Sequence, residues 1–324
     1  MYKNIKKHPL FLSSIILVLF LSIFSCVSYF KIKNYVIKTS LEKQVLIMKN
    51  LQSDINYWFA PKIDIISELS KELEIHYTNE INYLSNKDNN SSKQEILHST
   101  QRLRVIHTLK NTKNSIESIQ VYIGLKNGLM LLNDGRAQSK GYDPRIRNWY
   151  KEGIKSNKTI ISDSFRGRSS NQLTIGIMSP LIINKKIKGV LCASFFLNNI
   201  YQKINKTKIE GGYAFIINSK GRIIIHPNKE LINKKINDIS VESNKPFYNI
   251  KKQKEGVIEY MYKGDKKIMT FSELDNGWFV AVSVKEDIAY SFIKEMLKFF
   301  SIFGILIFII TLSFISVFLK KSTS

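Results

Sequence analysis

The chain has 324 residues and a formal net charge of +23, with 49 Lys and Arg against 26 Asp and Glu. That length supplies about two domains unless part of it is embedded in a membrane. So basic a chain raises the question of nucleic acid, but its lysines are scattered among Asn and Ile with no motif interleaving them with aromatics, and no nucleic-acid partner is expected. The two cysteines, Cys26 and Cys192, fall in an apolar run and a strand-like run; no intrachain disulfide is expected and the fold must rest on its core.

Residues 1–9 are basic, and residues 10–30 carry no charged side chain; the same is true of residues 299–319. Each apolar run has the roughly 20 residues a helix needs to cross a bilayer. Two transmembrane helices are therefore predicted. Lys3, Lys6 and Lys7 precede the first, while Lys320 and Lys321 lie in the tail, residues 320–324. This positive charge puts both ends in the cytoplasm, and residues 31–298 on the far side of the membrane, because long domains translocate largely regardless of charge. A cleaved signal peptide fits less well, since no small-residue cleavage site stands near Ser28-Tyr29-Phe30. Ile23-Phe24-Ser25-Cys26 matches a lipoprotein box only loosely, because Phe24 is bulky.

Residues 31–85 read as a stalk helix. Apolar side chains recur at spacings of three and four through Tyr35-Val36, Leu41, Val45-Leu46, Met48, Leu51 and Ile55, and again through Ile63, Ile65-Ile66, Leu69 and Leu73. Pro61 between them is expected to kink or interrupt the helix. An apolar stripe of this kind often pairs with a twin, so a homodimer through the stalk is expected. A polar loop at residues 86–92 and a helix over about 93–109 follow. Strands are predicted at 118–124 and 129–132 around the turn Lys126-Asn127-Gly128.

Next comes Tyr142-Asp143-Pro144-Arg145-Ile146-Arg147-Asn148-Trp149-Tyr150. Asp143-Pro144 reads as a helix start, which would put Arg147 and Tyr150 on one face, three residues apart. Arg147 offers a planar fork for a carboxylate, Trp149 and Tyr150 combine apolar area with a polar tip, and Asp163 has the charge to answer an ammonium. The plain alternatives are a surface Arg147 paired with Glu152 or Asp143, a core Trp149, and an Asp163 that caps the turn before Phe165-Arg166-Gly167-Arg168. Strands over 159–162, 172–182 and 188–197 complete a module at residues 86–205. A second module of like plan, residues 206–298, has strands at 214–217, 222–226, 256–262, 266–273 and 278–284, then a helix over 288–298.

This arrangement resembles the double Cache sensor domain of bacterial chemoreceptors, with Tyr-Asp-Pro-Arg-x-Arg-x-Trp-Tyr in the first module and Gly212-Tyr213-Ala214-Phe215-Ile216-Ile217 through His226-Pro227 in the second. The resemblance covers most of residues 31–298. It implies an α+β fold in which a long N-terminal stalk helix carries two tandem PAS-like Cache modules, distal and proximal, flanked by the two transmembrane helices. It also implies a multi-pass protein of the bacterial inner membrane with its main domain in the periplasm or extracytoplasmic space. In amino-acid-sensing members, the positions matching Tyr142, Arg147, Trp149 and Tyr150 hold the ligand carboxylate and backbone, and Asp163 matches one of two amine-binding acids. Two positions depart: Ile161 stands where a Tyr is usual, and Ser194 where the second Asp is usual.

The expected function is thus extracytoplasmic sensing of a small carboxylate or amino-acid ligand, without a cofactor. Because the chain stops at Lys320-Lys321-Ser322-Thr323-Ser324, it is expected to use a separate cytoplasmic signalling partner, or to be a truncated chemoreceptor. A membrane-anchored solute-binding or structural protein is the alternative. Histidines 8, 76, 98, 107 and 226 show no metal-ligand spacing and no nucleophile or phosphate motif occurs, so enzymatic activity is not expected.

Overall fold

The computed structural model describes residues 8–86, 96, 98–166, 172–239 and 246–323. The polar loop after residue 86, the start of the helix expected from residue 93, and Gly167 and Arg168 lie outside the described residues.

Helix α1 (His8–His76) runs without a break for 69 residues, so Pro61 does not interrupt it. A proline removes one N–H and displaces the carbonyl four residues earlier. Here that residue is Tyr57, 83% exposed, and on a solvent face an orphaned carbonyl can be hydrated. The expected stalk divides at Tyr77, beyond which α2 (Thr78–Asn86) begins. Within and beyond the expected span, helix α3 (Thr100–Ser115) is capped by Ser99, whose side chain accepts the Arg102 N–H.

The first sheet contains β1 (Gln120–Leu125), β2 (Met130–Leu132), β3 (Ile160–Ile161), β4 (Phe165–Arg166), β5 (Leu173–Ile183) and β6 (Lys186–Phe196). Between β2 and β3 lie a 3₁₀ turn (Pro144–Ile146) and α4 (Asn148–Gly153). Helix α5 (Asn198–Lys206), which periodicity did not reveal, leads to the second sheet: β7 (Gly212–Ile217), β8 (Ile223–Ile225), β9 (Glu255–Tyr262), β10 (Asp265–Glu273) and β11 (Phe279–Lys285), with α6 (Pro246–Gln253) before β9. Strand order is β2-β1-β6-β5-β3 in the first sheet, with β4 also on β5, and β8-β7-β11-β10-β9 in the second. Each sheet places the last strand of its module beside the first, with the opening hairpin outside, and every pairing is antiparallel. The two modules therefore share one topology.

α1 is the spine common to both. Its side chains Met48, Leu51, Ile55, Phe59, Ile66, Leu69 and Leu73 are all buried, in one core cluster with residues of both sheets. Phe59 packs edge-on to Trp278 of the second module at 5.7 Å, and Trp58 to Phe195 of the first at 6.0 Å. Gln52 donates to the Glu273 carbonyl at 2.7 Å and Ser70 to that of Pro180 at 2.9 Å. From Met48 to Leu73 the stripe expected to face a twin is thus covered by the chain's own sheets, whereas Tyr35 and Leu46, also part of it, are not. Tyr35, Leu46, Tyr57 and Ile75 remain exposed on α1.

After α7 (Glu286–Ala289), α8 (Ser291–Thr323) ends the fold. Among the described residues, one helical stretch, Ser291–Ser313, is long and apolar enough to cross a membrane, with a mean hydropathy of 2.2. The apolar run at residues 10–30 is the beginning of α1, and its side chains Ile16, Leu19, Phe20, Ile23 and Phe24 are exposed.

Candidate functional site

Asp143 caps the 3₁₀ turn, accepting the Arg145 N–H at 2.8 Å and pairing with the Arg145 guanidinium at 2.8 Å. The turn stops at Ile146, and Arg147 has extended backbone, φ −83° and ψ 145°, before α4 begins at Asn148. Arg147 and Tyr150 are therefore not three apart on one helix. Asp143-Pro144 starts a single turn rather than a longer helix, and Arg147 is the hinge between two short helical segments.

The segment lies close on β1 because residue 124 is glycine. A Cβ there would meet Trp149 Cη2 at 2.8 Å and Pro144 Cβ at 2.9 Å, well inside van der Waals contact. Trp149 is buried and meets the Tyr122 ring edge-on at 5.0 Å. Tyr150 is buried in the same cluster with Met178 and Val190; its hydroxyl has no hydrogen-bond partner among the described residues and burial raises its pKa.

A cavity of about 720 Å³ opens between this segment, the sheet and the loop after β2. Five residues named from sequence line it: Tyr142, Arg147, Trp149, Asp163 and Ser194; Tyr150 packs beside it without contributing to the wall. Ile161 lies in β3, packed against the main core. The loop is tied down from two sides. Arg102 of α3 donates to the Gly135 carbonyl at 2.7 Å, and Gln138 accepts the Met130 N–H at 2.9 Å while donating to the Tyr142 carbonyl.

The groups lining the cavity differ in charge. The Arg147 guanidinium lies 4.7 Å from the centre of the Tyr142 ring, and its Nε is buried without a hydrogen-bond partner among the described residues. Ser194 and Tyr122, also in the lining, form a neutral network: Ser194 Oγ lies 3.0 Å from the Tyr122 hydroxyl, which accepts from Cys192 Sγ at 3.2 Å. Burial drives the Tyr122 pKa well above its ordinary value and the Cys192 thiol up to about 12, so both stay protonated.

Asp163, an acid of the lining, has a backbone carbonyl that accepts from Ser162 Oγ at 2.8 Å; the same Oγ accepts the Gly176 N–H at 2.8 Å. Its carboxylate is engaged by the second module. Oδ1 accepts from Asn218 Nδ2 at 2.5 Å and Oδ2 from Lys220 Nζ at 2.9 Å, while Lys220 also reaches Glu152 Oε1 at 3.1 Å. The Lys220 pKa is raised, the hydrogen bond to Asp163 being the largest cause. Sequence reading missed Tyr122, Asn218 and Lys220, and named Glu152 only as a partner for Arg147, whereas it pairs with Lys220. Alternation marks Tyr122 as facing one side of a strand, but nothing in Asn218-Ser219-Lys220-Gly221 beyond a turn signal points 57 positions back to Asp163. Among the described residues, no three His, Cys, Asp or Glu side chains converge as metal ligands.

A sequence model of the family described as Cache domain matches residues 28–293. Curated relatives include the methyl-accepting chemotaxis proteins McpG of Pseudomonas putida, 29% identical over 181 residues, and PscA of Pseudomonas syringae, 30% over 179 residues. Each alignment covers 54% of this chain and 28% of the relative, so the chain spans less than a third of the length of the curated relatives it matches. Among solved structures, the ligand-binding domain of the Pseudomonas aeruginosa amino acid chemoreceptor PctB in complex with L-Arg gives a TM-score of 0.56 at 20% identity, over 77% of this chain and 96% of that one. The ligand-binding domain of the Campylobacter jejuni chemoreceptor Tlp3 with 4-methylisoleucine gives 0.56 at 20%, over 78% and 94%. At such identity the likeness is one of fold.

Proposed function

The chain belongs to the Cache domain family, and on that premise we propose that it is the ligand-sensing part of a membrane receptor whose distal cavity takes a small carboxylate, amino acids included. The observation that carries this is the buried, unpartnered Nε of Arg147 in the cavity wall. A buried donor without an acceptor costs on the order of 1–3 kcal/mol, and a ligand carboxylate relieves that cost with two parallel charge-assisted bonds to one planar group. The Tyr142 ring limits where the fork can point, and Trp149 gives the ligand an apolar wall.

A ligand that binds one arrangement of the modules better than another shifts their populations by that difference. We place residues 31–298 outside the bacterial inner membrane between two spans, with the shift passed through α8 to cytoplasmic signalling machinery. A membrane-impermeant maleimide tests this topology in intact cells, where a cysteine at exposed Lys251 is expected to react and one at Ser322 only after permeabilisation. The exposed native Cys26 is first replaced by Ser, and native Cys192 gives little background, being buried with its thiol pKa raised. Equal labelling of both positions overturns the arrangement.

The ligand class is tested by a thermal-shift screen of amino acids, organic acids, amines and purines against the detergent-solubilised chain. Carboxylates are expected to raise the melting temperature. If the only stabilising compounds lack a carboxylate, the role given to Arg147 is wrong.

A further inference from the structure

The charges around the distal cavity are not balanced as a site for an ammonium would require. Four ionic side chains among the described residues line it: Arg136, Arg147, Glu152 and Asp163. Arg136 pairs with Asp134 at 2.6 Å. Glu152 and Asp163 share one cation, Lys220 Nζ, at 3.1 and 2.9 Å, and the remaining Asp163 oxygen is taken by Asn218 at 2.5 Å. Arg147 has no acidic partner among the described residues. A ligand ammonium between these acids would therefore compete with a cation already bonded to both, whose single charge balances one of the two carboxylates, while Arg147 is left to an anion.

The cation comes from the other module. Asn218 and Lys220 belong to the turn between β7 and β8, where Asn218 Oδ1 accepts the N–H groups of Lys220 at 3.0 Å and Arg222 at 2.8 Å. The turn is thus built to hold its shape, and Gly221 within it takes φ +79°, a conformation side chains disfavour. Asn233, from the loop after β8, adds a third contact, accepting from Ser164 Oγ at 3.4 Å.

We propose that Lys220 is a specificity-determining residue: it occupies the cation position of the distal cavity from the proximal module, and so selects small carboxylates without an α-ammonium over amino acids of the same side chain. This rests on the reading of the cavity as a carboxylate site. A second ammonium placed between Asp163 and Glu152 meets the charge of Lys220, and must either tolerate that repulsion or displace it. A 2-hydroxy acid meets no such cost. The Lys220 side chain is 57% exposed, so solvent screens the bridge. Its effect on preference is accordingly about three- to tenfold rather than many orders of magnitude.

The test titrates matched pairs into the full-length chain: L-alanine with L-lactate, L-leucine with 2-hydroxy-4-methylpentanoate, and L-glutamate with 2-hydroxyglutarate. Wild type is expected to favour the hydroxy acid in every pair it binds. Lys220→Met is expected to move the ratio toward the amino acid by about three- to tenfold, and Lys220→Arg to retain the wild-type ratio. Melting of the unliganded variants establishes that each is folded. An unchanged ratio in Lys220→Met overturns the assignment even if hydroxy acids are preferred, and a wild-type preference for amino acids overturns the selectivity. If no carboxylate of either series binds wild type, the carboxylate reading itself fails and takes this inference with it.

Discussion

Arg147 concentrates the binding argument in one side chain, because its guanidinium lines the cavity with Nε buried and unpartnered. Arg147→Ala is expected to weaken carboxylate binding by about 2–5 kcal/mol, and Arg147→Lys to recover only part, since an ammonium is a point charge without a fork. Calorimetric titration decides this: a loss below about 0.5 kcal/mol places the ligand elsewhere. Ser194 is the complementary case. Replacing it by Asp puts a carboxylate beside the Tyr122 hydroxyl, now 3.0 Å from the serine oxygen, and adds an acid that Lys220 does not engage. Ser194→Asp is expected to raise affinity for amino acids relative to their deaminated analogues and to lower the stability of the unliganded protein, through a buried charge. An unchanged preference removes Ser194 from the ligand's surroundings. Arg147 was legible from residue type within its motif and Ser194 only through the family resemblance; the engagement of Asp163 by Lys220 was not legible, because it joins distant parts of the chain.

Helix α1 shows what periodicity predicts and where it stops. Spacings of three and four identified Met48, Leu51, Ile55, Ile66, Leu69 and Leu73 as one face, and that face is buried. A stripe read from sequence does not say what covers it, and here the cover is intramolecular. Ile66→Ala is expected to cost about 2–5 kcal/mol in chemical unfolding, because Ile66 is fully buried in the shared core. Leu46→Ala, at 61% exposure, is expected to cost less than about 0.5 kcal/mol. A larger, concentration-dependent loss for Leu46→Ala would instead show the outer face of α1 packed against a second copy. The short segment at Arg147 is the opposite case. Asp143-Pro144 was readable as a cap, but its release after one turn depends on the fit of Trp149 and Pro144 over Gly124, a contact between elements.

At the scale of the whole molecule, the second module carries the clearest pH signature. His226 is 5% exposed, with its ring edge-on to Tyr213 at 4.7 Å and Nδ1 accepting the Asn228 N–H at 2.9 Å. Burial, assisted by the positive charge of Lys267, lowers its pKa from 6.5 to about 4. The folded state thus keeps the ring neutral where the unfolded chain is protonated. The stabilisation is fully present above pH 6.5 and is lost as the pH falls toward 4, by about 3 kcal/mol in total. Denaturation at pH 7 and pH 4.5 is expected to show this loss in wild type and a smaller one in His226→Gln. Parallel losses would mean that another group sets the acid limit.

The amino-acid sequence by itself determined the apolar runs, the helical stripe, two strand-rich modules of one plan and the residues of one cavity wall. These are properties of local spacing and residue type, which a chain carries before it folds. Tertiary structure alone decided that the stripe serves both modules as a common core, that Tyr150 stands beside the cavity rather than in its wall, and that Lys220 of one module bridges Asp163 and Glu152 of the other. Each of these depends on which distant segments approach within a few ångströms, and charge pairing acts over that distance through space rather than along the chain.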